Sequence, residues 1–209
     1  MKAFVISVVG GLLAAIAACG ATIAADAEAR LKEKNIILPA PNPPVANYIG
    51  AVQVGNLLFV SGHTSNPQWT HKGKVGKDLT VEEGVQAARQ AGLNLLSTAR
   101  AALGSLDRVK RVVKVLGMVN SADGFGDQPK VINGFSDLLV DVFGDAIGKH
   151  ARSAVGMAAL PGNAPVEVEA ILEVEWLSST QCPGPNRRNA TRQRMATSRH
   201  ARPPSRRSL

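Results

Sequence analysis

Among the side chains able to do chemistry, Arg152 and Glu167 stand out for their setting. Arg152 sits at the start of a predicted strand, in His150-Ala151-Arg152-Ser153-Ala154-Val155, and its planar guanidinium offers paired N–H donors that match a carboxylate bidentately. Glu167 begins the acidic positions of the alternating run Val166-Glu167-Val168-Glu169, beyond a Pro161-Gly162-Asn163 turn. If both runs are strands joined across that turn, pairing brings guanidinium and carboxylate together, which suits either a salt bridge or a two-part site for a small acid. An Arg taken alone would more often serve an ordinary ion pair. Metal chemistry has no foothold: His63, His71, His150 and His200 show no HxxxH, HxH or HExxH spacing, and no Cys pair completes a zinc site. No metal and no other cofactor is expected.

Holding two such groups in register requires a scaffold. The 209 residues, 45% hydrophobic, suit one domain with appendages better than two domains. Ala51-Val52-Gln53-Val54, a Gly55-Asn56 turn and Leu57-Leu58-Phe59-Val60-Ser61 predict a β-hairpin with a buried second strand. Thr80 and Glu83 match a capping box, whose hydroxyl and carboxylate each satisfy a free backbone N–H at a helix start. The helix that follows places Val81, Val85, Ala88, Leu95, Ala99 and Leu103 on one face at spacings of about 3.6 residues and stops at Gly104. Val109 to Val119, rich in β-branched residues, predicts a long strand. Gln128 to Phe143 predicts a second helix, starting near Pro129 and ending at Gly144.

Two closing strands follow, Ser153 to Leu160 and Val166 to Trp176. In the last, Val166, Val168, Ala170, Leu172, Val174 and Trp176 alternate with Glu167, Glu169, Glu173 and Glu175, so one face packs on the helices and the other carries carboxylates, interrupted by Ile171. For Glu173 and Glu175 a solvated face is the simpler account. The order is β-β-α-β-α-β-β, an α+β fold spanning residues 45–177.

The flanks differ from this body. Met1 to Ala25 combines Lys2, an apolar run from Phe4 to Ala18 and small residues at Thr22-Ile23-Ala24-Ala25, the pattern of an export signal. The apolar run falls short of the roughly 20 residues a membrane span needs, so no stable span is expected and the protein is read as exported, in the periplasm. Ile16-Ala17-Ala18-Cys19 resembles a lipobox, which leaves a lipid anchor on Cys19 as the alternative. Residues 26–44 read as a linker, polar with room for a short helix and then extended through its prolines. From Ser178 the composition turns to Arg, Ser, Thr, Pro and Asn without apolar periodicity, a disordered basic tail. The tail carries the whole formal net charge of +8. The body is neutral, which argues against a nucleic-acid groove on the domain and leaves only the tail for such a partner.

The run Tyr48-x6-Gly55-Asn56-x4-Ser61-Gly62, then Asn133, then Ala151-Arg152-Ser153-x6-Leu160-Pro161-x4-Val166-Glu167-Val168-Glu169 resembles the RidA/YjgF family, also called the L-PSP endoribonuclease family. The resemblance covers about Val45 to Val174, and the stretch from Gly124 to Phe143 looks like a branch distinct from the archetypal imine deaminases. It implies a chorismate-mutase-like fold with two helices on one face of a mostly antiparallel sheet, a homotrimer, and sites in clefts between subunits. It further implies that Arg152 holds the carboxylate of a 2-imino acid while Glu167 helps place the attacking water, with Tyr48, Ser61, Gly62 and Asn133 at other pocket positions. Ala154 stands where the archetype has Cys, so a backbone carbonyl role survives and a thiol role does not. His63 replaces a Gln and divides evenly between pocket hydrogen bonding and exposure; His150 replaces an aromatic residue and reads as a loop position. The resulting expectation is an imine or enamine deaminase acting on a small carboxylate-bearing substrate, with a non-catalytic small-acid binding module as the alternative and RNA cleavage third.

Overall fold

The structure, a computed structural model, describes residues 26–44 and 46–176. In chain order its elements are α1 (Ala27–Glu33), β1 (Ala51–Val54), β2 (Leu57–Thr64), α2 (Val81–Leu103), β3 (Val109–Asn120), α3 (Gln128–Phe143), α4 (Asp145–Gly148), β4 (Ala151–Met157) and β5 (Val166–Val174). The anticipated β-β-α-β-α-β-β order is therefore present, with two short α-helices and two 3-10 turns, Leu106–Arg108 and Pro161–Asn163, added. The expected export signal with its lipobox at Cys19, and the expected disordered basic tail with Cys182, lie outside the described residues. Among the described residues no helix is long and apolar enough to cross a membrane.

Local chemistry fixes the ends of α2. Thr80 Oγ1 accepts the Glu83 N–H at 3.1 Å and Glu83 Oε2 accepts the Thr80 N–H at 2.8 Å, so the reciprocal cap forms. At the other end Gly104 takes the left-handed conformation (φ 82°) that a side chain would resist. The apolar stripe of α2 meets that of α3, and the two backbones approach closely: a Cβ on Gly134 would run into the Val85 carbonyl oxygen.

The five strands form one sheet in the order β1-β2-β5-β3-β4. All neighbours are antiparallel except β3 and β4, which run parallel because α3 intervenes as a crossover. The helices cover one face. Alternate residues Val166, Val168, Ala170, Leu172 and Val174 of the central strand β5 are buried there with Val109, Val112, Val115 and Val119 of β3. The opposite face is open and carries exposed apolar side chains, among them Val52, Phe59, Val113 and Val155.

Two expectations are corrected. The closing strands do not pair as a hairpin, because β3 lies between β4 and β5. The connection instead crosses the end of β3, where the Asn120 N–H donates to the Pro165 carbonyl at 2.9 Å and Asn120 Nδ2 donates to Asn163 Oδ1 at 3.1 Å. Turn residues at Pro161-Gly162-Asn163 are real, but the turn redirects the chain across a strand end. Residues 26–44 are likewise more than a linker. Ala27 and Leu31 of α1 are buried in the core, and the docking is fixed by reciprocal bonds: Asp107 Oδ1 accepts the Glu28 N–H at 3.0 Å, while Glu28 Oε1 accepts the Leu106 N–H at 3.1 Å. The Pro39 carbonyl is held by Ser97 Oγ at 2.6 Å.

A buried leucine cut to alanine loses transfer energy and leaves a cavity, so Leu31→Ala should cost about 2–4 kcal/mol in urea unfolding. Ile37→Ala, at a side chain 84% exposed, serves as the control and should leave the midpoint in place; equal midpoints for both variants would return α1 to the status of a linker.

Candidate functional site

Arg152 faces Val115 of β3 in the strand register. Val115 is buried against the helices, and paired residues share a face, so the guanidinium leaves the sheet on the helix side, beside α3. There Nη1 donates to Asn133 Oδ1 at 2.9 Å and to Ser136 Oγ at 3.0 Å, while Nη2 donates to the Pro129 carbonyl at 3.3 Å. These three residues recur at i, i+4 and i+7, which aligns them as one stripe along the helix. Both Nη1 hydrogens are thereby engaged. Among the described residues no carboxylate pairs with Arg152, and its Nε–H with the second Nη2–H form the free edge that a carboxylate takes bidentately. The ordinary ion pair weighed from sequence is not what this Arg makes.

Ala154 lies two residues on, opposite Gly117 and packed partly against the core. As β4 is an edge strand, its outer backbone groups are available to a ligand, which keeps a main-chain role at Ala154 open to use.

Glu167 belongs to a different neighbourhood. It pairs with Thr64 of β2 and Met118 of β3, on the face away from the helices. It lines a cleft of about 470 Å³ with Tyr48, Ser61, Gly62, His63 and Pro161. The sequence fits this locally: β2 is irregular between Val60 and His63, and Gly62 sits so near the Glu167 carboxylate that a Cβ there would collide with Oε1. Ser61 Oγ donates to the Ile49 carbonyl at 2.7 Å and its N–H to the Gly50 carbonyl at 2.9 Å, which ties the Tyr48 segment to the mouth of the cleft.

His63 resolves in favour of hydrogen bonding. Its Nδ1 is 2.6 Å from the Ser61 carbonyl, an oxygen that only accepts, so Nδ1 carries the proton. Nε2 then accepts from Thr98 Oγ1 at 2.7 Å. Burial lowers the His63 pKa, against the smaller opposing effect of the Ser61 bond. The ring is a neutral brace between the irregular strand and α2. Glu167 is shifted the other way: burial first, and the charge of Glu169 second, raise its carboxyl above the usual range. A carboxyl pushed upward in a cleft is a group positioned to trade protons nearer neutrality.

The expected pair is thus split. Arg152 and Glu167 leave the sheet on opposite faces, so among the described residues one chain does not bring them together. The structure instead gathers two half-sites: Arg152, Asn133 and Ala154 by α3 and the β4 edge, and Glu167, Tyr48, Ser61, Gly62 and His63 in the cleft. Sequence reasoning missed Ser136, Pro129 and Thr98, and also Asn42, Pro43, Pro44, Asn66 and Pro67, which complete the cleft wall. The i, i+4, i+7 run of Pro129, Asn133 and Ser136 was the one signal that pointed to the Arg152 cradle.

The fold has known counterparts. The chain belongs to the YjgF/chorismate mutase-like endoribonuclease family, whose model matches residues 28–174, so the family unit begins inside α1. It is 47% identical over 148 residues to Protein TCP17 of Trypanosoma cruzi, covering 70% of this chain and 92% of that protein. It is 31% identical over 151 residues to a 2-iminobutanoate/2-iminopropanoate deaminase of Dermatophagoides farinae, covering 69% of this chain and 100% of the relative. Among solved structures it resembles Atu1372, a protein of unknown function from Agrobacterium tumefaciens, with 43% identity and a TM-score of 0.65 over 71% of this chain and 92% of that one.

The electrostatics of the cleft can be checked directly. Replacing Glu169 by Gln removes the second cause of the Glu167 shift and leaves burial, so the Glu167 titration midpoint, followed by carbon NMR of the side-chain carboxyl, should move down while staying above the usual glutamate value. An unmoved midpoint would show that the two carboxylates do not sense each other.

Proposed function

We propose that the protein hydrolyses 2-imino acids and their enamine tautomers to 2-keto acids and ammonia. The observation that carries the reading is the Arg152 guanidinium, paired with no acid among the described residues and braced by α3 so that one bidentate edge stays free. The likeness to a mite imine deaminase supports it. In this account Arg152 takes the substrate carboxylate and fixes the imine carbon in place. Glu167 orients a water molecule against that carbon, accepts its proton as the C–O bond forms and passes it to the imine nitrogen, giving a neutral carbinolamine; the hydroxyl proton then moves through the same carboxylate to the amine, the C–N bond breaks, and ammonia leaves as the carbonyl forms. An imine carbon is already electrophilic, so orientation and proton transfer supply the advantage.

Because the half-sites lie on opposite faces of one sheet, the working site needs two copies of the chain. We read the assembly as a homotrimer in which the exposed apolar sheet faces pack together and the β4 edge of one subunit meets the Glu167 cleft of the next. The exposure of Val52 (46%), Phe59 (42%) and Val155 (40%) supports that packing.

The test is release of ammonia and keto acid from freshly generated 2-iminobutanoate. Arg152→Ala should lower kcat/KM by at least about 100-fold, chiefly through KM, whereas Glu167→Gln should lower kcat with a smaller change in KM. Tight keto-acid binding that requires Arg152 but no hydrolysis by the wild type would mark a small-acid binding module instead. Hydrolysis undiminished in Arg152→Ala would remove the proposal.

A further inference from the structure

His150 belongs to no part of the chemistry described so far, yet its ring is half-buried beside Arg152 and hydrogen-bonded through both nitrogens. Nδ1 lies 2.6 Å from the Gly148 carbonyl and Nε2 lies 3.1 Å from Ser136 Oγ. A carbonyl oxygen only accepts, so Nδ1 bears the hydrogen and Nε2 presents a lone pair. The Ser136 hydroxyl must therefore donate to His150. Its oxygen is left to accept from Arg152 Nη1 at 3.0 Å. The polarity of the whole chain is fixed: Arg152 to Ser136, Ser136 to His150, His150 to the Gly148 main chain.

We infer that His150 and Ser136 are positioning residues that set the plane of the Arg152 guanidinium, and so decide how well the chain grips a carboxylate. The inference rests on the reading of Arg152 as the carboxylate site. A serine within a helix tends to turn its hydroxyl toward the carbonyl four residues back, here that of Ile132. An acceptor at His150 draws the hydroxyl hydrogen away from that carbonyl and toward the ring. With Ser136 held by His150, one Nη1 hydrogen has a fixed acceptor; Asn133 Oδ1 takes the other, and the Nε–Nη2 edge keeps one direction. Burial, opposed by the bond to the Gly148 carbonyl and helped by the neighbouring Arg152 charge, lowers the His150 pKa, which favours the neutral, accepting ring. A protonated ring would instead aim a second donor at the same hydroxyl oxygen.

Two substitutions separate positioning from packing. Asparagine at 150 keeps a donor for the Gly148 carbonyl but is too short to meet Ser136; glutamine places an acceptor where Nε2 stood. Calorimetry with 2-oxobutanoate as the probe, on the full chain, should show His150→Asn binding about tenfold more weakly than wild type. His150→Gln should recover most of that loss. Ser136→Ala should weaken binding comparably, and adding His150→Asn to it should cost little more, since both act through one hydroxyl. Losses that multiply, a His150→Gln variant as weak as His150→Asn, or wild-type affinity in His150→Asn would each overturn the inference. Arg152→Ala on the same probe keeps the two claims apart. If Arg152→Ala abolishes binding while His150→Asn is harmless, only the positioning role falls; if Arg152→Ala binds as wild type does, the carboxylate site falls and the positioning role with it.

Discussion

Successive side chains of a strand point to opposite faces of its sheet, and here that alternation governs how a site can be built. Arg152 shares the face of Val115 and meets α3; Glu167 shares the face of Met118 and looks away from the helices. Neither group can cross the sheet. The two groups are therefore kept apart within a chain, each in its own setting. The guanidinium is braced by helix side chains and a carbonyl, and the carboxyl sits in a cleft whose burial raises its pKa. Had the strands paired as a hairpin, the two would neutralise each other as a salt bridge, and neither would be free for a ligand.

Much of the scaffold was legible because local rules and tertiary packing agree. The capping box of Thr80 and Glu83, the stop at Gly104, and the span of α3 from Gln128 to Phe143 follow from spacing alone. The hairpin of β1 and β2 likewise follows from its turn. What sequence could not supply was the order of strands. A turn motif at Pro161-Gly162-Asn163 says that the chain bends, not that its flanking strands become neighbours. Insertion of β5 between β2 and β3 depends on long-range packing. For the same reason α1 escaped notice as part of the domain: its helix is short, and its docking depends on Glu28 and Asp107, whose partnership spans distant parts of the chain.

The candidate residues fared similarly. Tyr48, Ser61, Gly62, Asn133, Ala154, Arg152 and Glu167 were all identifiable from their motifs, and each lies in one of the two half-sites. Their division between half-sites was not. His63 illustrates why: its ring points into the helix layer, against Thr98, while the backbone beside it shapes the cleft. A motif gives identity and order; which side of a strand a group takes depends on the irregularity between Val60 and His63, which no spacing rule reveals.

The central claim is that two copies of the chain complete one site, and subunit mixing tests it most directly. Arg152→Ala and Glu167→Gln chains, each impaired alone, are co-refolded in equal amounts and assayed for imine hydrolysis. In a cyclic assembly with random exchange, about one quarter of the sites should combine an intact Arg152 from one subunit with an intact Glu167 from its neighbour, and activity should return to roughly that fraction of wild type. If verified mixed assemblies are no more active than their parents, Arg152 and Glu167 do not act across a subunit boundary, and the account is wrong.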